Sequence, residues 1–126
     1  MNSWNYVCEY YEDLAKDDQW KDFAAMEKFV KNLIANRSLS EIYAHTTHLT
    51  LVITTSEEYE KWIKEPNLFV ELNFGASEEY LYKISLAETI EHSEIIRIRE
   101  ESVFCSFEKS LEVFDEMIKR LKDNLE

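Results

Sequence analysis

The chain has 126 residues, a length that suits one domain with a substantial buried core. Its formal net charge of −12 argues against binding bare nucleic acid or an anionic membrane surface, because both need a positive protein surface. With a single glycine, Gly75, the chain cannot supply the phosphate-binding loops, dinucleotide fingerprints or nucleophile elbows that depend on several glycines.

The ends and breaks of the chain give no sign of a second domain or an anchor. The start, "MNSWNYVCEYYEDLAKDD", has no basic flank and no unbroken apolar run, so we expect neither a signal peptide nor a transmembrane helix. Cys8 and Cys105 lie far apart, which favours reduced thiols and a cytoplasmic location. The sole proline and the sole glycine leave no flexible linker, so residues 1–126 are predicted to form a single domain.

Apolar residues in the first third of the chain recur at helical spacing. One predicted helix carries the stripe Trp4, Val7, Cys8, Tyr11, Leu14 and Ala15. Asp17 and Asp18 offer a cap for a second helix, which turn residues should end near Asn36. That second helix carries a similar stripe, formed by Trp20, Phe23, Val30, Leu33 and Ile34.

The middle of the chain changes to the alternating pattern of strands. A strand is predicted over Leu49–Ile53, where β-branched residues are dense. A tight turn through Thr46 and Thr47 would make a hairpin from Ile42–His45 and His48–Thr54. The stretch lacks the Gly, Asn or Asp that such turns favour, so this alternative stays open.

Two further strands and a short helix follow. "TSEE" at Thr55–Glu58 has the form of a capping box, and Pro66 should end the helix that it starts. A hairpin is then predicted from two alternating runs, Leu68, Val70, Leu72 and Phe74 followed by Tyr80, Tyr82, Ile84 and Leu86. A fourth strand is expected around Glu94–Glu100.

The last segment predicts the longest helix. Ser106 can cap it, and apolar residues then repeat at intervals of four and three: Phe107, Leu111, Phe114, Ile118, Leu121 and Leu125. Asp115 with Lys119 and Glu116 with Arg120 are oppositely charged pairs four residues apart. The sequence therefore predicts an α+β domain. It would hold an antiparallel meander of about four strands, two N-terminal helices, a short middle helix and a long C-terminal helix packing on the sheet.

His45 and His48 lie three residues apart and raise the question of a metal site. Residues at this spacing share a face on a helix but point to opposite sides on a strand. Because the stretch favours a strand, we predict that the two imidazoles do not bind one metal ion. Zinc would also need further ligands, and only His92, Cys8 and Cys105 remain as imidazole or thiol donors.

Cys105 is a candidate for catalysis and the pair Arg97 and Arg99 for anion binding, but each also has a structural explanation. Cys105 precedes the predicted C-terminal helix, whose dipole lowers a thiol's pKa, and His92 is the nearest candidate base. The apolar stretch Val103–Phe107 instead favours a small buried cysteine. Arg97 and Arg99 share a strand face that could hold a phosphate or a carboxylate, but flanking glutamates favour ion pairs. We predict a protein that is not an enzyme, with no catalytic residue, metal or cofactor.

The acidic clusters and two tyrosines are the predicted binding surface. The clusters lie near the expected ends of strands and could form one negative rim that speeds encounter with a basic partner, although solubility alone would also explain them. Tyr6 and Tyr10 lie off the apolar stripe of the first helix, so they are either interface residues or part of a second buried face. The predicted partner-binding residues are Tyr6, Tyr10, Glu57, Glu58, Glu60, Glu78 and Glu79.

Three functions remain compatible with these patterns. In length, acidity and helix-flanked sheet the chain resembles immunity proteins of polymorphic-toxin systems, which implies a bacterial, toxin-neutralising or other inhibitory module for a basic protein partner. A homodimeric secretion-type chaperone for a partly unfolded client is the first alternative, and a large exposed apolar patch would favour it. A small ligand-binding domain or enzyme using carboxylates is the second, and a deep pocket holding a buried, perturbed Glu or His would favour that.

Overall fold

The fold is an antiparallel meander with helices on both sides. A computed structural model describes residues 3–47, 49–75, 77–91 and 95–124, with the side chains of 89–91, 95–99 and 124 outside the description. The elements in chain order are α1 (Ser3–Ala15), a first 3₁₀ helix (Asp18–Phe23), α2 (Ala24–Asn36), β1 (Tyr43–Thr47), β2 (Thr50–Thr54), α3 (Tyr59–Trp62), β3 (Asn67–Leu72), a second 3₁₀ helix (Glu78–Tyr80), β4 (Tyr82–Glu91), β5 (Ile95–Cys105) and α4 (Phe107–Asn124). The five strands form one sheet in the order β1-β2-β3-β4-β5. The α+β class is confirmed, with one strand more than the four predicted.

The additional strand comes from the hairpin that the sequence left open. β1 and β2 pair antiparallel, with Thr46 and Thr47 both paired in the ladder and Thr47 opposite Thr50, so the chain does not reverse at the two threonines. Leu49 takes a φ of 73° in this turn. Tight hairpins need positive φ, which Gly, Asn or Asp usually provides. Here a leucine provides it, which explains why the turn had no clear sequence signal.

Three helices bury one face of the sheet. α1, α2 and α4 pack with β1–β5 into the main core, where Trp4, Phe29, Leu51, Ile84 and Leu121 are buried. Fully burying each large apolar side chain contributes about 1.5–3 kcal/mol to stability. The predicted stripe of α1 is confirmed. The second predicted helix is divided into the first 3₁₀ helix, which carries Trp20 and Phe23, and α2, where Val30 and Leu33 are buried and Ile34 is exposed.

The short helix α3 covers part of the other face. Its Trp62 forms a second cluster with Val52, Ile63, Phe69 and Ala87. The predicted capping box is wrong in detail: Glu58 takes the N-cap position, and Thr55 Oγ1 donates to Glu65 Oε2 at 2.9 Å. The buried amide of Asn67 donates to the Trp62 carbonyl at 2.8 Å, which holds this helical turn against the sheet.

The connection between β3 and β4 is longer than the hairpin predicted. β3 ends at Leu72, and residues 73–81 form a loop that contains the second 3₁₀ helix. Asn73 closes this loop, since its backbone N–H donates to the Leu81 carbonyl and its side-chain amide to the Tyr80 carbonyl, both at 2.8 Å. Phe74 and Tyr80 were predicted as strand residues, and both lie in this loop instead. Gly75, with φ of 74°, turns the chain there.

α4 follows its predicted course as far as Asn124, and Leu125 of the predicted stripe lies outside the described residues. Ser106 Oγ accepts the Lys109 backbone N–H at 3.2 Å, which confirms the cap. Asp115 pairs with Arg37 through two hydrogen bonds of 2.7 and 2.8 Å, so it links α4 to the end of α2 and not to Lys119 as predicted. The predicted pair of Glu116 and Arg120 is present at 3.3 Å. Among the described helices, none is both long enough and apolar enough to cross a membrane.

Candidate functional site

The meander places the predicted acidic clusters at two different ends of the sheet. Successive connections of an antiparallel meander alternate between its ends. We call the end with the β1–β2 turn and residues 73–81 the upper end, and the end with residues 55–66 the lower end. Glu78 and Glu79 lie at the upper end, whereas Glu57, Glu58 and Glu60 lie at the lower end. A strand of five or six residues separates them by about 17–20 Å, so these clusters do not form one rim.

Helix α1 runs from the lower end to the upper end beside β1. Near its start, Trp4 Nε1 donates to the Ile42 carbonyl at 3.1 Å, just before β1 begins. Near its end, the Tyr11 hydroxyl donates to the Leu49 carbonyl at 3.0 Å, in the β1–β2 turn. These buried anchors fix the direction of the helix, and they decide at which end each of the two predicted tyrosines lies.

The two predicted tyrosines therefore belong to different surroundings. Tyr6 is 64% exposed and lies on the lower half of α1. Tyr10 lies near the upper end and is half-buried against the core, with its ring edge-on to Tyr11 at 5.3 Å between centroids. Of the two alternatives that the sequence left open, the solvent-facing one holds for Tyr6, whereas Tyr10 is partly a packing residue of a second buried face.

Aromatic rings converge at the upper end around the buried ring of Phe23. Tyr11 stacks on Phe23 with centroids 6.1 Å apart, and Trp20 approaches it edge-on at the same distance. Phe74, from the loop between β3 and β4, meets Phe23 edge-on at 5.4 Å. This contact joins the first 3₁₀ helix to the 73–81 loop, although the two segments are far apart in sequence.

Exposed carboxylates surround this aromatic cluster. Asp17, Asp18 and Asp22 lie on or beside the first 3₁₀ helix, and Glu78 and Glu79 lie on the second. The Asp17 carboxylate also caps its helix, accepting the Gln19 backbone N–H at 2.9 Å. We define the acidic aromatic end as the following exposed or half-buried residues of the upper end: Tyr10, Asp17, Asp18, Trp20, Asp22, Phe74, Glu78, Glu79 and Tyr80.

Sequence reasoning found only part of the acidic aromatic end. It proposed Tyr10, Glu78 and Glu79, but it assigned Phe74 and Tyr80 to strands. The alternation of apolar residues through "NLFVELNFGASEEYLYKISL" favoured that assignment. Asn73 and Gly75 were the available signal, because an Asn close to a Gly marks a turn and cuts the alternating pattern before Phe74.

The lower end carries a cleft of about 470 Å³, within the usual size range of small-molecule sites. Glu57 is exposed at its rim, and Trp4 and Tyr43 contribute aromatic walls. Arg37 also lines the cleft, but its guanidinium is held by Asp115. A buried, perturbed Glu or His was the expected mark of a ligand-binding or catalytic site, and the described lining of this cleft contains neither.

His45 is a packing residue of the sheet. Its Nε2 lies 3.0 Å from Thr54 Oγ1, and the Thr54 hydroxyl gives its proton to the Ser56 carbonyl at 2.7 Å. Nε2 must therefore donate to Thr54. The imidazole also stacks on Trp62, with centroids 5.2 Å apart, and burial lowers the pKa of His45.

That His45 and His48 do not bind one metal ion stays a prediction, because His48 and His92 lie outside the described residues. Among the described residues, no group of three or more His, Cys, Asp or Glu side chains could hold a metal ion.

The remaining chemical candidates are explained by burial. Cys105 is buried, as its apolar surroundings predicted, and burial raises the pKa of its thiol to about 11, which argues against the alternative of a nucleophile activated by the following helix. Burial also raises the pKa of Cys8, which is half-buried against the core as predicted. The anion site considered at Arg97 and Arg99 depends on side chains outside the described part of β5.

No protein-family model, curated protein or solved structure matches this chain. Its own geometry is therefore the only basis for a function, and the acidic aromatic end is its most distinctive surface.

Proposed function

We propose that the chain is a non-catalytic protein-binding module that binds a basic protein partner through the acidic aromatic end. The observation that carries this proposal is the exposure of two aromatic rings, 60% for Phe74 and 53% for Tyr80, beside the exposed carboxylates of Glu78 and Glu79. Aromatic side chains are the usual anchors of protein interfaces. Surrounding carboxylates attract a cationic partner and accelerate its association.

The loop that carries these rings is held in place before any partner binds. Phe74 rests on Phe23, and the backbone and side chain of Asn73 close the loop at Leu81 and Tyr80. A preorganised anchor loses little conformational entropy on binding, so more of its contact energy contributes to affinity. This support favours a binding role for the loop over a merely solvated acidic surface.

The biological role that fits this surface best is inhibition. An acidic surface that covers the cationic active site of a basic enzyme would neutralise it, as in an immunity-type or other inhibitor protein acting in a bacterial cytoplasm. The net charge of −12 supports such a partner, because it opposes binding to nucleic acid and favours basic proteins. The aromatic rings would then be the anchors and the carboxylates would set the association rate.

The test is affinity capture from the native host with four single variants. Phe74→Ala and Tyr80→Ala remove the proposed anchors, and Tyr6→Ala and Tyr59→Ala are matched controls that remove exposed aromatic rings elsewhere. We expect one basic protein to be captured by the wild type and both controls and to be lost from the two anchor variants. Retention of that protein by Phe74→Ala and Tyr80→Ala would contradict the proposal.

A homodimeric secretion-type chaperone is the second candidate. An apolar groove of about 180 Å³ between β5 and α4, lined by Val103, Val113 and Met117, favours it. A chaperone would capture several unrelated, partly unfolded clients and would have twice the monomer mass in solution.

A small ligand-binding domain is the third candidate, and the cleft at the lower end favours it. An empty capture experiment together with binding of a small molecule in that cleft would support this last role.

A further inference from the structure

The two edge strands of the sheet are protected very differently. β1 is short, and α1 lies along it, with Ser3 Oγ accepting the Ala44 backbone N–H at 2.9 Å. β5 spans Ile95–Cys105 and forms the opposite edge, where no other described strand pairs with its outer side. An unpaired edge presents a row of main-chain donors and acceptors that another extended chain can bind.

The last part of β5 also lacks the usual side-chain protection of an edge. Natural edge strands are guarded by charged residues, and Glu100 and Glu101 serve that purpose in the middle of β5. The following segment, Ser102–Cys105, has no charged residue. Its Val103 is 37% exposed on the face covered by helices, and its Phe104 is 47% exposed on the opposite face. An apolar side chain is therefore available on each side of the same edge.

We propose that residues 102–105 of β5 bind an extended basic segment of the partner by strand addition. This inference rests on the proposed function and specifies how the partner is bound. In strand addition the main-chain hydrogen bonds give affinity, while alternate side chains of the added strand enter pockets on either face. The groove between Val103 and Met117 takes an apolar side chain on one face, and Phe104 offers a contact surface on the other.

Carboxylates around the edge select a basic segment. Glu112 and Glu116 line the groove beside the apolar residues. Glu78 and Glu79 lie on the second 3₁₀ helix, which contacts β5, so the acidic aromatic end continues into this edge. Lys109 pairs with Glu112 at 3.6 Å, and Arg120 is divided between Glu101 at 3.4 Å and Glu116 at 3.3 Å. These three carboxylates are therefore only partly neutralised. Lysine or arginine residues flanking the inserted apolar side chain would meet the charge that remains on them together with that of Glu78 and Glu79.

The same charges disfavour a second copy of this chain on the edge. Two copies would each bring a net charge of −12, and repulsion between two strongly acidic molecules opposes their association. A basic partner therefore fits the edge better than self-association does.

The experiment uses the full chain and a capped synthetic nonapeptide of alternating lysine and valine. A second peptide has the same sequence, with N-methyl groups on alternate backbone nitrogens along the edge that would face β5. The two peptides match in charge and side chains, but the methylated one cannot donate those main-chain hydrogen bonds. Amide hydrogen exchange of residues 102–105 and the dissociation constant are measured for the wild type, Val103→Gln and the control Tyr6→Ala.

We expect the unmodified peptide to slow amide exchange within residues 102–105. The methylated peptide should bind about tenfold more weakly or worse, because several main-chain hydrogen bonds are lost. Val103→Gln removes the apolar contact without adding a charge and should weaken the unmodified peptide several-fold, while Tyr6→Ala should leave its affinity unchanged. Thermal unfolding checks that each variant is folded, and the comparison of the two peptides on the wild type does not depend on any variant.

Other results would overturn strand addition. Equal binding of the two peptides, or protection confined to residues outside β5, would exclude it. If the amides of residues 102–105 are already protected in the free protein and its mass is doubled, a second copy occupies the edge. If Val103→Gln still captures the basic partner while Phe74→Ala does not, the partner binds the acidic aromatic end without the edge. In that case the proposed function stands and this inference fails.

Discussion

Trp4 ties the start of α1 to the start of the sheet through one buried hydrogen bond. Its Nε1 donates to the Ile42 carbonyl at 3.1 Å, and the indole is almost fully buried. Trp4→Phe leaves that carbonyl without its donor and leaves a small cavity, so we expect the free energy of unfolding to fall by about 1–3 kcal/mol. Urea denaturation measures this loss. Tyr6→Phe on the exposed side of the same helix should change stability by no more than about 0.5 kcal/mol. An equal loss of unfolding free energy in Trp4→Phe and Tyr6→Phe would contradict this role of the Trp4 hydrogen bond.

His45 makes stability depend on pH with a defined sign. Burial lowers its pKa in the folded protein below the ordinary value of about 6.5, so the unfolded chain binds the proton first as the pH falls. Neutral His45 therefore contributes fully to the free energy of unfolding above about pH 6.5. This contribution is lost as the pH falls from there towards the lowered pKa of His45 in the folded protein. Between neutral and mildly acidic pH, the free energy of unfolding should fall by a larger amount in the wild type than in His45→Gln. A steeper fall for His45→Gln would show that the sign is wrong.

The burial of single residues was only partly predictable. The apolar stretch around Cys105 correctly favoured a buried cysteine over a thiol with a lowered pKa, and desolvation raises that pKa. For Tyr10 the sequence could not decide between a solvent-facing ring and a second buried face, because both fit its place off the apolar stripe. The ring is half-buried against the core.

Among the elements, the 73–81 loop depends on one glycine. Gly75 has a φ of 74°, and a Cβ added there would meet no described atom within 4 Å. The cost of a side chain is therefore conformational and not steric. Gly75→Ala should lower the free energy of unfolding by about 1 kcal/mol, and Gly75→Asn by less, because asparagine tolerates positive φ. Chemical denaturation of both variants gives this ranking, and a more stable Gly75→Ala protein would contradict it.

Helices and strands were predictable where apolar spacing was regular. The stripes of α1 and α4 identified real core faces, because burial of one face imposes the helical period on the sequence. Turns were less predictable, because they depend on single backbone angles. Leu49 adopts positive φ without the usual residue type, and Asn73 ends β3 although the apolar alternation continues to Phe74. The division of the acidic clusters between two ends follows from their place in two successive connections of the meander, which the four predicted strands already implied.

For the whole molecule, the net charge of −12 should weaken the fold at low ionic strength. Repulsion among exposed carboxylates favours the expanded chain, and salt screens it over about 8–10 Å at physiological concentration. The midpoint of thermal unfolding should therefore rise as sodium chloride is increased from about 10 mM to about 150 mM. A midpoint that falls over this range would mean that favourable ion pairs, such as the one between Arg37 and Asp115, outweigh the repulsion.

The separation of the two acidic ends allows the binding account to be tested directly. Glu78→Lys with Glu79→Lys reverses two charges at the acidic aromatic end, and Glu57→Lys with Glu58→Lys reverses two charges at the lower end. Both double variants change the net charge equally, so any difference between them reports the location of binding. The measurement is the dissociation constant of each protein for the captured basic partner. We predict that the first variant binds at least tenfold more weakly than the second, which should stay close to the wild type. Equal weakening of the two variants, or greater weakening by the lower-end variant, would contradict binding at the acidic aromatic end.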